Sequence, residues 1–282
     1  MWMLEKSTSA FCEERGEKSV LPSVTLLGRT VPTYGLIGLL GLCIGLLAAL
    51  LRCKRFQLSR DDCAYLYILG AVGALIGAKV LYLLPLLPDL LGDLPLLLKQ
   101  PEVFAGRYLS GGMVFYGGFL GGIVGTWGAA RYFRLCFPRF FPVLVPALPL
   151  IHAVGRIGCF CAGCCYGIEA PPPWGIPFSN AIAAPNGVPL VPVQLWECGA
   201  ELAIFLFLLW YSCRAARPEH VLRAYMLSYA PVRFVLEFFR GDLVRGIYGP
   251  FSTSQWISLG VLAAAAVWIL WERNCMSPKA HL

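Results

Sequence analysis

The sequence predicts an all-α integral membrane protein with seven transmembrane helices, and two observations carry this prediction. Hydrophobic residues make up 58% of the 282 residues and charged residues only 14%, with a mean hydropathy of +0.67. Soluble domains carry about 25% charged residues, so the bilayer is the expected solvent. Apolar stretches of about 20 residues, the length at which a helix crosses a bilayer, recur at 31–51, 64–84, 111–130, 141–159, 196–213, 221–239 and 253–271.

Basic residues indicate the orientation of these helices. They follow the first, third, fifth and seventh stretches, whereas the segment from Ile157 to Ser212 contains neither Lys nor Arg. Cytoplasmic loops are enriched in Lys and Arg, so we expect the N-terminus outside and the C-terminus in the cytoplasm. The net charge of +7 is thus a topology signal, and no nucleic-acid partner is expected. The basic residues concerned are Arg52, Lys54, Arg55, Arg60, Arg131, Arg134, Arg139, Arg214, Arg217, Arg223, Arg273 and Lys279.

The predicted domain plan has three parts. An extracytoplasmic N-terminal segment covers 1–30, a seven-helix domain covers 31–272, and a cytoplasmic tail covers 273–282. No apolar stretch followed by a cleavage-like site precedes Thr30, so no secretory signal peptide is predicted.

Two segments inside the seven-helix domain are not expected to span the membrane. Residues 85–98, the start of an arm over about 85–110, are broken by prolines and carry Asp89 and Asp93. This pattern indicates an amphipathic arm at the membrane interface. Residues 168–195 contain seven prolines and form either a small extracytoplasmic cap or a long exposed loop.

The third stretch repeats glycine every four residues, at Gly117, Gly121 and Gly125. Small residues at this spacing let two helix backbones approach closely in a membrane. We therefore expect these glycines to pack against another helix rather than to act in chemistry.

The sixth stretch contains Arg233, Glu237 and Arg240 at positions i, i+4 and i+7, which places them on one face of a continuous helix. An arginine within a bilayer is costly and stays charged, so it needs an anion. Glu237 can orient Arg233 so that its guanidinium presents two N–H donors to a phospholipid phosphate. The alternative is a structural Arg–Glu pair that locks two helices together.

Arg156 is the second arginine at membrane depth. Four glycines surround it, so we expect the chain to leave regular helix here and to offer free backbone N–H groups. Such a corner would bind an anion. The alternative is an arginine at a helix end whose head group reaches the interface. The glycines are Gly155, Gly158, Gly163 and Gly167.

Four of the twelve cysteines are clustered, at Cys159, Cys161, Cys164 and Cys165. Three interpretations stay open: small residues that pack a tight turn, thiols that undergo disulfide chemistry, or thiolates that bind a soft metal such as zinc. Structural zinc sites usually take two distant pairs of ligands, and four ligands within seven residues strain that geometry. We therefore predict no resident metal and no cofactor.

Four motifs in a fixed order resemble the signature of the prolipoprotein diacylglyceryl transferase family, as do Tyr34 in the first stretch and Gln255 before the seventh. The resemblance covers roughly 30–272, nearly the whole chain. The motifs are GGMVFYGGFLGG (111–122), GRIGCFCAGCCYG (155–167), PVQLWE (192–197) and VRFVLEFFR (232–240).

The resemblance implies a multi-pass enzyme of the bacterial cytoplasmic (inner) membrane. Such an enzyme transfers a diacylglyceryl group from phosphatidylglycerol to the lipobox cysteine in the signal peptide of a prolipoprotein. A thioether forms and glycerol phosphate leaves. The implied partners are phosphatidylglycerol, the prolipoprotein and membrane lipids. The acceptor thiol must become a thiolate, and the leaving phosphate needs positive charge.

The resemblance also assigns roles to individual residues of this sequence. It implies catalytic roles for Tyr116, Arg156, Arg233 and Glu237. The positions implied to bind substrate are Tyr34, Gly117, Gly118, Gly167, Gln194, Arg240 and Gln255.

This chain departs from the family pattern in two places. Family members typically show His-Gly-Gly where this chain has Tyr116 and its two glycines. They show Gly-Asn-Phe and Asn-Gly-Glu where this chain has GCF at 158–160 and AGC at 162–164. A tyrosine has a pKa near 10 and is a poor base at neutral pH. His152 either takes over the role of base or is structural.

The departures leave two alternatives to the family activity. The first alternative is a paralogue that uses another lipid or acceptor. The second alternative is a non-catalytic membrane protein that binds lipid or undergoes thiol redox chemistry.

Overall fold

The computed structural model describes residues 18–26, 29–109, 112–242 and 246–276, and these residues are mostly helical. Most of the predicted N-terminal segment, together with the signal-peptide prediction, lies outside the described residues, and so does the tail beyond Met276. Ten α-helices cover the described chain: α1 Thr33–Cys53, α2 Arg60–Leu83, α3 Leu87–Gly92, α4 Leu94–Lys99, α5 Pro101–Tyr108, α6 Phe115–Tyr132, α7 Phe141–Ala162, α8 Val193–Tyr211, α9 Glu219–Leu236 and α10 Thr253–Met276.

Short strands and 3-10 turns join the helices. The strands are β1 Lys18–Ser19, β2 Ser23–Leu26, β3 Arg29–Pro32, β4 Ile176–Ser179, β5 Pro189–Leu190, β6 Ile247–Tyr248 and β7 Phe251–Ser252. The 3-10 turns are Lys54–Phe56, Phe137–Phe140 and Glu237–Phe239.

Each of the seven predicted spans coincides with a helix of the structure, namely α1, α2, α6, α7, α8, α9 and α10. Five of the described helices are long and apolar enough to cross a membrane. The remaining two are α6, which contains the repeated glycines, and α9, which contains Arg233. The five qualifying segments are Thr33–Phe56, Arg60–Leu83, Phe137–Ala162, Val193–Tyr211 and Thr253–Asn274.

The chain divides into two compact units. Unit 1 comprises the chain up to Gly45 together with Val145 onwards, and unit 2 comprises Leu46–Leu144. Unit 1 contains α8, α9, α10 and most of α7, and unit 2 contains α2 to α6.

Unit 2 is built on a glycine contact between α2 and α6. A Cβ atom added to Gly121 would lie 2.2 Å from the carbonyl oxygen of Gly73, and one added to Gly117 would lie 2.2 Å from that of Gly77. Only hydrogen fits at these positions. The prediction that the repeated glycines let two backbones approach closely is therefore confirmed.

The predicted arm is occupied by the three short helices α3, α4 and α5. Asp93, between α3 and α4, accepts hydrogen bonds of 2.7 Å from Arg107 Nη1 and from the Tyr108 hydroxyl. This carboxylate fastens the start of the arm to its end. Its position at the membrane interface stays a prediction.

In unit 1, segment 168–195 folds around a small sheet rather than lying as an extended loop. Strand β4 pairs with β1 in parallel and with β5 in antiparallel orientation. Val20, Phe178, Ala184 and Leu190 form a buried cluster beneath it. The extracytoplasmic position of this cap stays a prediction.

The expectation that the chain leaves regular helix around Arg156 is wrong. Helix α7 runs without a break from Phe141 to Ala162 and ends only where Gly163 takes a φ of +65°. A left-handed residue just after the last turn is a common helix end, and glycine adopts it without a steric penalty. The glycines nearest to Arg156 stay within the helix.

We expect Gly121→Ala to destabilise the protein, because its methyl group would overlap the backbone of Gly73. Overpacking of this kind costs about 1–3 kcal/mol. The matched control is Gly128→Ala on the same helix, where an added Cβ meets nothing within 4 Å. Thermal unfolding in detergent checks this: a lower Tm for Gly121→Ala only is expected, and equal Tm values for both variants would contradict it.

Candidate functional site

A buried carboxylate of α8 is shared by two arginines. Arg156 Nη2, on α7, donates a hydrogen bond of 2.9 Å to Glu197 Oε1, and Arg240 Nη1 lies 4.0 Å from Glu197 Oε2. The side chains of Glu197 and Arg240 are only 1% and 4% exposed. Glu197 therefore holds the two guanidinium groups on either side of one carboxylate.

Arg240 has a second partner in Asp242. Its Nε and Nη2 atoms donate to the two carboxylate oxygens of Asp242 at 3.1 and 2.9 Å. This two-point pairing is the strongest geometry for an arginine and a carboxylate, and it fixes the plane of the guanidinium.

The expectation that Arg240 shares a helical face with Arg233 and Glu237 is wrong. Helix α9 ends at Leu236, a 3-10 turn follows, and Arg240 is extended with φ −86° and ψ 135°. Its backbone forms a β-bridge with Gly167. The change to extended backbone turns Arg240 towards α8 instead of along α9.

Arg233 contacts two partners, Glu237 and Ser254, through its Nη2 atom. Its Nη2 atom lies 2.7 Å from Glu237 Oε2 and donates to Ser254 Oγ at 3.1 Å. The predicted contact between Arg233 and Glu237 is thus present. The Arg233 side chain is 12% exposed.

In unit 1, two buried guanidinium nitrogens have no hydrogen-bond partner among the described residues, namely Nε of Arg156 and Nη1 of Arg233. A third such nitrogen, Nε of Arg52, belongs to unit 2. Tyr229, on α9, is within electrostatic range of both Arg156 and Arg233. Buried donors are almost always satisfied in folded proteins, so the two groups of unit 1 are the donors that an anionic ligand can use.

His152 lies one turn before Arg156 and joins the same network. Its Nδ1 atom is 2.5 Å from Glu201 Oε1, and its Nε2 atom is 3.6 Å from Glu197 Oε1. Both glutamates are fully buried. His152 and Arg156 of α7 therefore face Glu201 and Glu197 of α8 at matching one-turn spacing.

Three of the four clustered thiols come together at the C-terminal end of α7. The sulfur atoms of Cys159, Cys164 and Cys165 all lie within 4.8 Å of one another, and Cys161 is not part of this group. We call these three residues the thiol trio. The backbone N–H of Cys164 donates to the Cys159 carbonyl at 3.1 Å, which folds the turn that brings the sulfurs together.

The pKa values of Cys164 and Cys165 shift in opposite directions. Hydrogen bonds from Cys159 and Cys164 lower the pKa of the Cys165 thiol below its usual range, against the effect of burial, and Arg240 and Arg156 lower it further. Hydrogen bonds with Cys159 and Cys165, together with burial, raise the pKa of the Cys164 thiol.

The two predicted glutamines contact backbone in the structure. Gln194, fully buried, donates from Nε2 to the Cys164 carbonyl at 2.7 Å. Gln255 accepts from the backbone N–H of Ser252 at 2.9 Å and donates to the Phe234 carbonyl at 3.3 Å. They hold the thiol turn and the end of α9, and direct substrate binding by either stays a prediction.

The other predicted positions fall in three places. Gly167 fits only as glycine, because an added Cβ would lie 2.4 Å from the Val191 carbonyl oxygen. Tyr34 is half exposed in the first turn of α1. Tyr116, Gly117 and Gly118 lie at the start of α6 in unit 2.

The sequence analysis missed Glu197, Glu201, Asp242 and Ser254. A signal for the first two was present, because they stand one turn apart in an otherwise apolar stretch. An ionisable residue within a membrane span is by default a functional or paired residue. Glu197, with its two arginine neighbours, is the residue on which the site is organised.

Comparison with known proteins gives one consistent family. Residues 22–271 match the family model described as prolipoprotein diacylglyceryl transferase. A phosphatidylglycerol–prolipoprotein diacylglyceryl transferase of Clostridium tetani is 32% identical over 234 residues, which covers 83% of this chain and 90% of the relative. A relative from Clostridium perfringens with the same activity in its name is 32% identical, over 84% of this chain and 89% of the relative. One from Geobacter sulfurreducens is also 32% identical, over 87% of this chain and 92% of the relative.

We expect Glu197→Gln to destabilise the protein by roughly 3–5 kcal/mol, because it leaves the buried charge of Arg156 without a counter-charge. Arg156→Gln combined with Glu197→Gln should cost less than the sum of the two single changes. Unfolding free energies of the four proteins measure this coupling. Glu102→Gln, on an exposed residue, is the control. Strict additivity would show that the pair is not coupled.

Proposed function

The chain belongs to the prolipoprotein diacylglyceryl transferase family, and from this premise we propose that it transfers a diacylglyceryl group from phosphatidylglycerol to the cysteine thiol of a prolipoprotein. It is accordingly a transferase of lipoprotein biosynthesis. The proposed acceptor is the lipobox cysteine of the signal peptide, and the proposed location is the bacterial inner membrane.

The observation that carries this proposal is the pair of free donors on Arg156 and Arg233. Each arginine is held by one glutamate, Glu197 or Glu237, and each keeps one buried guanidinium nitrogen for which the described part of the chain offers no acceptor. A phosphate offers several acceptor oxygens, and a guanidinium binds them with fixed geometry. Because the glutamates set the orientation in advance, the site does not have to reorganise when the phosphate binds.

The chemistry that follows is a displacement at the glyceryl carbon. The acceptor thiolate forms a bond to this carbon while the bond from carbon to phosphate oxygen breaks, and the electron pair leaves with glycerol phosphate. Negative charge grows on the phosphate in the transition state. Arg156 and Arg233 stabilise that growing charge, which is the largest electrostatic contribution available in a dry site.

The acceptor thiol must also lose a proton. His152 is positioned by Glu201 Oε1 at its Nδ1 atom, which is the way a carboxylate commonly orients a histidine that handles protons. The role of His152 as base and the catalytic role of Tyr116 both stay predictions.

We further propose seven membrane spans with the N-terminus outside and the C-terminus in the cytoplasm. Glu272, near the end of α10, contacts Arg217, His220 and Arg223 at the start of α9 at 2.5–3.1 Å. The start of α9 and the end of α10 are therefore in direct contact. This supports an arrangement in which both of these basic clusters face the cytoplasm.

We expect the chain to restore lipidation in a bacterial strain depleted of its own transferase. The mass of a reporter lipoprotein should increase by one diacylglyceryl group. Expression is checked by immunoblot of the membrane fraction. Lipoproteins that stay unlipidated despite good expression would exclude the transferase function and favour a paralogue with another acceptor or a non-catalytic protein.

We expect Arg233→Lys to lower transfer roughly ten- to a hundredfold, because an ammonium group cannot contact Glu237 and a phosphate with the fixed geometry of a guanidinium. The matched control is Arg217→Lys, a half-exposed residue of the Glu272 cluster. Transfer of radiolabelled diacylglyceryl to a lipobox peptide is measured in membranes. Wild-type rates for Arg233→Lys would show that its role is structural.

We expect reporter fusions to alternate between the two sides of the membrane. Alkaline phosphatase inserted in the loop between α8 and α9 should be inactive, and the same enzyme inserted in the cap between β4 and β5 should be active, because it folds only outside the cytoplasm. Green fluorescent protein in the same places gives the opposite pattern. Activity of both phosphatase fusions would contradict the proposed topology.

A further inference from the structure

The thiol trio has the geometry of a soft-metal site. A zinc ion binds thiolate sulfur at about 2.3 Å, so three sulfurs around it lie about 3.8–4.0 Å apart. The sulfurs of Cys159, Cys164 and Cys165 lie within 4.8 Å of one another. Shifts of about half an ångström at each sulfur bring them to binding distance, which side-chain rotation supplies without movement of the backbone.

The backbone that carries the trio is fixed and locally unfavourable. Cys165 has a φ of +56°, a left-handed conformation that a non-glycine residue rarely adopts. Gln194, fully buried, holds the neighbouring Cys164 carbonyl at 2.7 Å. Backbone strain that is held in place by buried contacts is concentrated at functional sites.

The charges around the trio fit a metal–thiolate complex better than three free thiolates. Arg156 and Arg240 both act electrostatically on Cys165. Three thiolates with one divalent ion carry a net charge of −1, which these guanidinium groups stabilise, whereas three thiolates without an ion would repel one another. A disulfide would use only two of the three sulfurs and would need an external oxidant.

We propose that Cys159, Cys164 and Cys165 bind a soft divalent cation of the zinc type through three thiolates, with the fourth coordination position open to an external thiol. Zinc sites with three protein ligands typically keep such a position for water or substrate. Cys161 takes no part in the site, which answers the objection that four ligands within seven residues strain a tetrahedron.

The open position gives this site a role in the transfer reaction, an extension that rests on the proposed function. An acceptor thiol that binds the ion loses its S–H proton to solvent and becomes a thiolate. The thiolate then forms its bond to the glyceryl carbon as the carbon–oxygen bond breaks, and glycerol phosphate takes the electron pair. The thiol trio would thus bind the ion that converts the acceptor thiol to a thiolate, and the arginines would hold the phosphate.

Metal binding is tested on the purified, reduced, full-length protein in detergent, after removal of metal with a chelator. Cd²⁺ is titrated while the thiolate-to-metal charge-transfer absorption is followed, and Zn²⁺ is then added as competitor. We expect one saturable ion per chain. Serine at any one of Cys159, Cys164 or Cys165 should weaken binding by at least about a hundredfold, whereas Cys161→Ser, the matched control, should bind like the wild type.

A second measurement uses the wild-type protein and so does not depend on how the variants fold. Zn²⁺ should protect the trio from alkylation by iodoacetamide, read by peptide mass spectrometry, and should leave Cys161 unprotected. Equal alkylation of the trio with and without Zn²⁺ would overturn the proposal. So would Cd²⁺ binding that survives loss of the trio, or a disulfide that forms within the trio in preference to uptake of zinc.

The transfer assay separates this inference from the proposed function. Chelation should lower the transfer rate at least about tenfold and Zn²⁺ should restore it. Transfer that is unaffected by chelation, in a protein that binds zinc at the trio, would overturn the acceptor-binding role and keep the metal site. A chain that binds zinc but never lipidates a prolipoprotein would overturn the proposed function and, with it, the acceptor role.

Discussion

The contact on which the site depends is the buried carboxylate of Glu197 between Arg156 and Arg240. A charge taken out of water costs several kcal/mol unless it is paired, so two arginines at this depth require an anion between them. Glu197 is placed by α8, Arg156 by α7, and Arg240 by the extended segment after α9. One carboxylate therefore decides how three parts of unit 1 meet, and the β-bridge from Arg240 to Gly167 adds the thiol turn to them.

Pairing leaves the arginines only partly satisfied, and this is what makes them useful. A guanidinium has five N–H donors, so a single carboxylate can orient it without using all of them. Arg156 and Arg233 each keep a buried donor that the described residues do not satisfy. In the proposed function, the free energy that folding does not recover at these donors would be available for binding a phosphate. Unit 2 contrasts with this, because the close approach of its helices α2 and α6 is made by glycine contacts, which need no buried charge.

The thiol turn shows how a family site can change on one side and persist on the other. Arg156, Arg233 and Glu237 match the family motifs, whereas Cys159 stands at one of the two asparagine positions and Cys164 at the acidic position. Cysteine is small enough to keep the tight packing around Gly163 and Gly167, and it also brings three sulfurs to metal-binding separation. The phosphate-binding part of the proposed reaction and the part that generates the thiolate are therefore separable in structure.

The sequence by itself determined the class of fold, the helical segments, the close glycine contact of α6 and the pairing of Arg233 with Glu237. These follow from composition, from apolar length and from spacings within one helix, which are local properties. Tertiary structure alone decided that α7 continues through Arg156, that Arg240 leaves the face of α9, and that Glu197 serves two arginines from different segments. It also decided which three of the four clustered cysteines meet. The physical reason for the charged contacts is that they depend on partners distant in sequence, and the energetic cost of burying a charge requires a partner without indicating where it lies. The contacts among the cysteines depend on the backbone turn after Gly163, which residue spacing alone does not specify.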